Sequence, residues 1–152
     1  MGSLICDHIV GIEDTSYMDI EESIQWALRA DKIFGKLFYD ALFERHPELR
    51  RFFHDVDINH QAILLTMQLS VIGQCYPNAP PAVDAHLHIL GTKHKRRGIP
   101  REAYQPFRDV LLETLGRSFG PVWDDNLAAQ WRDALDVATE KMLEGYEKDF
   151  HM

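Results

Sequence analysis

The chain has 152 residues, room for one domain with a sizeable buried core. It is 45% hydrophobic and 26% charged, ordinary for a globular domain, and its formal net charge of −8 argues against nucleic acid or an anionic membrane as the main partner. Cys6 and Cys75 are too few for a disulfide framework and no apolar run reaches membrane-spanning length, so a cytoplasmic location is expected.

Residues 1–15 lack sustained periodicity and are expected to form an N-terminal extension, with residues 16–152 as the domain. The segment Met1–Cys6 loosely resembles a myristoylation signal, but Cys6 stands where Ser or Thr is preferred, so an untethered tail is expected. Helical spacing then runs through the chain, and no strand-like alternation of useful length interrupts it. Ser16 or Asp19 can cap a first helix through Trp26 and Leu28. Asp31 can cap a second, whose predicted buried face is Phe34, Leu37, Phe38, Ala41 and Leu42. Pro47 suits the first turn of a short helix leading to Phe52 and Phe53.

Another helix is predicted from about Ile58 to Gly73, followed by a link holding Pro77, Pro80 and Pro81. A shorter one runs from about Ala82 to Lys95 and stops before Gly98. Pro100 is expected to open a long helix through Phe119, with Pro106 kinking its first turns or delaying its regular start. Gly120-Pro121 separates it from a last helix, about Trp123 to Lys148, striped by Leu127, Trp131, Ala134, Ala138 and Met142. The expected class is all-α.

Amphipathic stripes alone indicate only a helical domain. More specific is an ordered set of segments: Phe34-Gly35-Lys36-Leu37-Phe38-Tyr39, then His46-Pro47-Glu48-Leu49 with Phe53 six residues beyond the proline. Leu90-Gly91-Thr92-Lys93-His94, Gly98-Ile99, Tyr104 ten residues beyond His94, and Trp131 complete it. In this order the chain resembles the globin family, specifically bacterial single-domain globins and the haem domain of flavohaemoglobins, over roughly Ile20 to Met142. The resemblance implies a globin fold, a three-on-three helical sandwich, holding haem b with its iron. It implies that His94 is the proximal iron ligand, with Tyr39, Phe53, Gln61 and Leu65 on the other face of the haem and Tyr104 beside His94. A neutral imidazole suits such ligation through one ring nitrogen, while the other nitrogen holds a fixed partner. Taken alone, His94 is also a histidine favoured by a helix C-terminus.

Lys93, Lys95, Arg96 and Arg97 surround His94; most of that charge suits a helix C-terminus, and one or two side chains can pair with haem propionates. His60 and Gln61 compete for the distal position. With Gln61 facing inward, Ile58, Ala62, Leu65, Leu69 and Ile72 form one stripe, whereas His60 inward turns Asp57, Gln61 and Gln68 toward the core, so periodicity favours Gln61. A distal His60 would instead donate to O₂ or occupy the sixth iron position.

Two departures from the family pattern stand out. Ile63, Leu64 and Met67 occupy the part of the distal helix where a lysine is often found, and they suit either a neighbouring helix or a dimer or partner contact. The glutamate of the flavohaemoglobin proximal network, fifteen residues after Trp131, is replaced by Tyr146; Glu144 and Glu147 lie close by and would substitute only after a local shift.

The resemblance implies binding of O₂, CO or nitric oxide by a monomer or homodimer. Nitric oxide dioxygenation would need a separate reductase, and the alternative is a gas or redox sensor acting through a protein partner. No other catalytic constellation is apparent. His86 and His88 point to different sides of a helix, and Cys6 with His8 lies in the extension. The remaining histidines are expected to be solvated.

Overall fold

The computed structural model describes residues 18–29 and 31–148, and of residues 31–33 the backbone only; among these described residues proline and glycine set off six α-helices. These are α1 (Ile20–Arg29), α2 (Asp31–Arg45), α3 (Ile58–Gly73), α4 (Pro81–Arg96), α5 (Tyr104–Phe119) and α6 (Asp125–Glu147), with no strand among the described residues. Short 3-10 turns at Pro47–Phe53, Arg101–Ala103 and Gly120–Val122 join them. The arrangement is all-α, as expected. The extension, its Met1–Cys6 segment, the Ser16 cap and the Asp31 side chain lie outside the described residues.

Local chemistry sets the helix starts. Asp19 caps α1, its Oδ1 accepting from the Glu22 N–H at 2.8 Å. Asp57 does the same for α3 through Asn59 at 3.0 Å, and Asp124 for α6 through Leu127 at 2.8 Å. Two starts differ from expectation. The regular last helix begins at Asp125 rather than Trp123, because Gly120-Pro121-Val122 first makes a tight turn with Gly120 at φ 56°. Likewise Pro100 precedes a 3-10 turn, and α5 starts only at Tyr104. Pro106 then falls in the first turn, where helix N–H groups are unpaired anyway, so it delays the helix rather than kinking it.

Helix α2 lies against α3 and α5, and α4 lies along α6. Glycine permits the two closest approaches that matter for the site. A Cβ on Gly35 of α2 would stand 2.3 Å from the Ala62 carbonyl oxygen of α3. On the other side, a Cβ on Gly91 of α4 would meet the Met142 carbonyl oxygen at 1.9 Å, and one on Gly145 of α6 would meet that of His88 at 2.2 Å. Phe38, Leu42, Leu69, Leu111, Leu115 and Trp131 fill the core between the layers. Trp131 Nε1 donates to Ser23 Oγ at 2.9 Å, tying α6 to α1 and satisfying a buried N–H. Leu37, expected in the core, is 48% exposed: α2 turns Phe34, Phe38, Tyr39 and Leu42 inward and leaves Leu37 outside that arc.

Candidate functional site

A cavity of about 390 Å³ lies between the α2–α3 and α4–α6 layers, within the roughly 300–1,000 Å³ usual for ligand pockets. All six side chains singled out from the sequence, Tyr39, Phe53, Gln61, Leu65, His94 and Tyr104, line it. His60 does not: it is exposed on α3 while Gln61 lines the cavity, as the stripe Ala62, Leu65 and Leu69, all buried, requires.

On the α2–α3 side the lining is largely aromatic and aliphatic. Tyr39, Phe43 and Phe53 pack with centroid separations of 5.4 to 5.8 Å, and Phe38 sits edge-on to Tyr39 at 5.0 Å. Burial pushes the Tyr39 hydroxyl up to about 12, while a hydrogen bond from the Gln61 side chain pulls the other way. Tyr39 therefore keeps its proton across the accessible range.

On the α4–α5 side, His94 stands in the last turn of α4. Burial, aided by the Arg97 guanidinium, lowers the His94 pKa to about 4, so the ring is neutral at pH 7 and carries one lone pair. Its Nδ1 lies 3.1 Å from the Tyr104 hydroxyl. The Tyr104 and Tyr146 rings meet edge-on with centroids 5.9 Å apart, and the Tyr146 hydroxyl donates to the Ile99 carbonyl at 2.8 Å. Burial first, then the Tyr146 side chain, holds the Tyr104 hydroxyl well above the usual phenol range.

Neither nearby glutamate joins this group. Glu144 is bonded to His88 at 2.6 Å, and Glu147 pairs with Arg101. The local shift that would bring either one to Tyr104 is absent, because both carboxylates already have partners on α4 or the following turn. His88, expected only to point away from His86 on the helix, is 7% exposed and pressed against α6. Lys148 Nζ lies 3.3 Å from His88 Nδ1 and can only donate to it, so Nε2 carries the proton given to Glu144. Asp84, His88 and Glu144 bring their ligand atoms within 4.8 Å of one another. Lys141 lies 3.2 Å from Asp84 and 3.7 Å from Glu144, however, and this balances the carboxylates, making the cluster an ion-pair clasp between α4 and α6.

Of the basic run around His94, Lys93 and Arg97 reach the cavity lining. Lys95 turns away and donates to the Tyr146 backbone carbonyl at 2.7 Å. Arg97 pairs with Asp55 at 3.2 Å at an exposed position. Cys75 is buried, and burial raises its thiol to about 11, which removes it as a nucleophile. Sequence reasoning found six of the lining residues but missed the packing of Tyr146 on Tyr104 and its bond to Ile99. Tyr146 was visible only as a departure, and the Ile99 carbonyl has no side-chain signature at all.

The donor set is thus one neutral imidazole in an apolar cavity, a hydroxyl–amide pair within it, and two cations at its lining. The globin family model matches residues 36–142. "Globin CTT-VIIB-4" of Chironomus thummi thummi is 40% identical over 55 residues, 36% of this chain and 33% of that protein. "Globin CTT-Z" of the same organism is 43% identical over 55 residues, 36% of this chain and 32% of that one. "Globin CTT-II beta" is 32% identical over 63 residues, covering 41% and 38%. The chain matches these relatives over only about a third of their length, whereas the family model spans most of it, and the chain belongs to the globin family.

Proposed function

We propose that the chain holds haem b in this cavity and binds O₂ and other diatomic ligands there reversibly. The observation that carries the reading is the joint lining of one apolar cavity by a half-buried, neutral His94 and by the polar ends of Tyr39 and Gln61. The residues fit the group. His94 would give iron its axial nitrogen, Phe53 and Leu65 would pack on the porphyrin, and Lys93 and Arg97 would pair with its propionates. Haem, when bound, supplies a ferrous iron that takes a diatomic ligand such as O₂, CO or nitric oxide.

The protein's own part is selection. Tyr39 offers an O–H in an apolar surround, and Gln61 brings a side-chain amide to the same lining. A ligand that carries negative charge, as O₂ does more than CO, gains about 1–3 kcal/mol from each such donor. Tyr39→Phe should therefore release O₂ roughly tenfold to a hundredfold faster with CO release little changed. Equal rates in the two proteins would overturn the donor assignment.

Nitric oxide dioxygenation is the finer reading of the same site. Nitric oxide, O₂ and one electron give nitrate, so turnover needs an electron donor, here a separate reductase. Reduced, air-equilibrated protein should be oxidised stoichiometrically on mixing with nitric oxide; persistence of its spectrum counts against this activity. The second reading is a gas or redox sensor acting through a partner. It is favoured by Leu64, which lines the cavity yet is 39% exposed, beside Ile63 and Met67 at 48% and 58%. A sedimentation coefficient that shifts on ligand binding supports that role, and a ligand-independent monomer removes it.

A further inference from the structure

We propose that the opening of this cavity is a docking surface for an acidic protein that carries a one-electron donor, held by cations of two segments, residues 50–51 and 93–101. The electron-accepting role rests on the proposed haem reading; the docking surface does not.

The distribution of charge carries the proposal. The chain has 24 Asp or Glu against 16 Lys or Arg, yet from Lys93 to Arg101 it holds five cations and no carboxylate. Among the described residues no carboxylate lines the cavity either. Lys93 and Arg97 line it and are exposed, which puts them at its opening. The C-terminus of α4 favours such charge, but it does not account for Arg101 beyond the helix or for Arg50 and Arg51 on the Pro47–Phe53 turn. The two segments meet where Arg97 lies 3.2 Å from Asp55.

Several of these cations are held in place without being neutralised. The Arg51 guanidinium lies 4.9 Å from the ring centroid of Phe52, which lines the cavity, and that of Arg50 lies 5.4 Å from Phe43. Lys95 is fixed by the Tyr146 backbone carbonyl at 2.7 Å. Aromatic faces and carbonyls carry no net charge, so the field stays available to a partner, and the side chains lose less freedom when it docks. Arg97 and Arg101 do pair with carboxylates, Asp55 and Glu147, but all four side chains are exposed. Exposed pairs contribute little, so a partner's carboxylate can take the place of either acid at small cost.

Other faces repel the same partner. Helix α6 exposes Asp125, Asp133, Asp136, Glu140 and Glu147. A chain of net charge −8 therefore turns an acidic protein away from such faces and steers it to this one. Cations confined to two short segments suit a compact acidic face better than a membrane or an extended anionic polymer. Docked there, the donor sits at the edge of the cavity. One electron would pass from the donor, which is oxidised, to ferric haem iron, which becomes ferrous, with no atom transferred.

The test titrates an acidic [2Fe–2S] ferredoxin, as probe, into the full ¹⁵N-labelled chain. Amide resonances of residues 50–55 and 93–101 should shift, and affinity should fall roughly tenfold or more between about 10 mM and about 0.3 M salt. Arg51→Glu and Arg96→Glu should each weaken binding roughly threefold to tenfold, while Arg117→Glu, at the far end of α5, changes it little. In haem-loaded protein the second-order rate of haem reduction by reduced ferredoxin should fall in the same order. No binding at low salt, equal effects of all three reversals, or a reduction rate indifferent to them overturns the proposal. So does charge-sensitive binding to phosphatidylserine vesicles with none to ferredoxin, which assigns the cations to a membrane. Ferredoxin binding that depends on Arg51 and Arg96 in a chain that takes up no haem supports the docking surface and sinks the proposed function instead.

Discussion

The two walls of the cavity are built by different physics. On the α4–α6 side the helices are joined by directional bonds. Thr92 Oγ1 reaches the Gly145 carbonyl at 2.8 Å and the His88 carbonyl at 3.1 Å, Lys95 reaches Tyr146, and the Asp84–Lys141–Glu144–His88 clasp closes the far end. On the α2–α3 side the fit is made by aromatic faces around Tyr39 and by the Gly35–Ala62 approach. The contrast matches what the proposed function asks of each wall. A side chain that must present one atom in one orientation needs hydrogen bonds to fix it, whereas a wall that receives a diatomic ligand needs low polarity and one or two aimed donors.

The largest expected effect comes from the glycines that set each wall. Gly91→Ala puts a methyl group 1.9 Å from a backbone oxygen with no flexible side chain to yield, so α4 must move off α6. A loss of about 3 kcal/mol or more is expected, read as a fall in thermal midpoint, together with loss of His94-dependent haem uptake. Gly35→Ala, at 2.3 Å from the Ala62 carbonyl oxygen, should cost a similar amount of stability. Its functional effect should differ, because it displaces Tyr39 and Gln61: ligand release changes while the iron–histidine stretch stays put. The same functional signature from both variants would erase the distinction between the walls.

Removing single polar groups should separate them further, at smaller magnitude. Thr92→Val keeps the shape but deletes two interactions, leaving the Gly145 carbonyl short of a partner, and should cost about 1–2 kcal/mol. Tyr39→Phe deletes a hydroxyl whose partner is the half-buried Gln61, and should cost under about 1 kcal/mol while changing ligand release. Chemical denaturation of both, compared at constant slope, measures the difference.

The smallest effect concerns pH. The hydrogen bond from His88 holds the Glu144 carboxyl below the usual carboxylate range. A depressed folded pKa means the contribution is complete above the unfolded carboxyl value and is lost as pH falls through the folded one. Acid should therefore loosen the α4–α6 clasp below the ordinary carboxylate range. The half-exposed position of Glu144 keeps the effect small. Glu144→Gln should flatten that acid limb in a thermal-midpoint titration, and an unchanged limb would assign it to other carboxylates.

Much of this was legible in the chain itself, for reasons that are local. The α3 stripe Ala62, Leu65, Leu69 turns Gln61 inward and His60 outward by helical geometry alone. Pro47, Gly98 and Gly120 mark the ends of elements through backbone restrictions that need no tertiary context. What could not be read depends on long-range packing. Leu37 carries the right spacing for a core position, yet it falls outside the arc that α2 presents to α3 and α5. His88 looks like a surface histidine until Gly91 and Gly145 bring α6 within reach. Tyr146 reads as a lost carboxylate until the turn at Gly98 brings the Ile99 carbonyl to its hydroxyl.

In the proposed function His94 presents a bare nitrogen to haem iron within this cavity. Absorption spectra of the purified protein as isolated, reduced, and reduced with CO test it most directly, run beside His94→Ala. A five-coordinate ferrous spectrum that converts to a CO complex is expected in the wild type, and its loss in His94→Ala. No haem uptake, or a ferrous spectrum indifferent to His94→Ala, would contradict it.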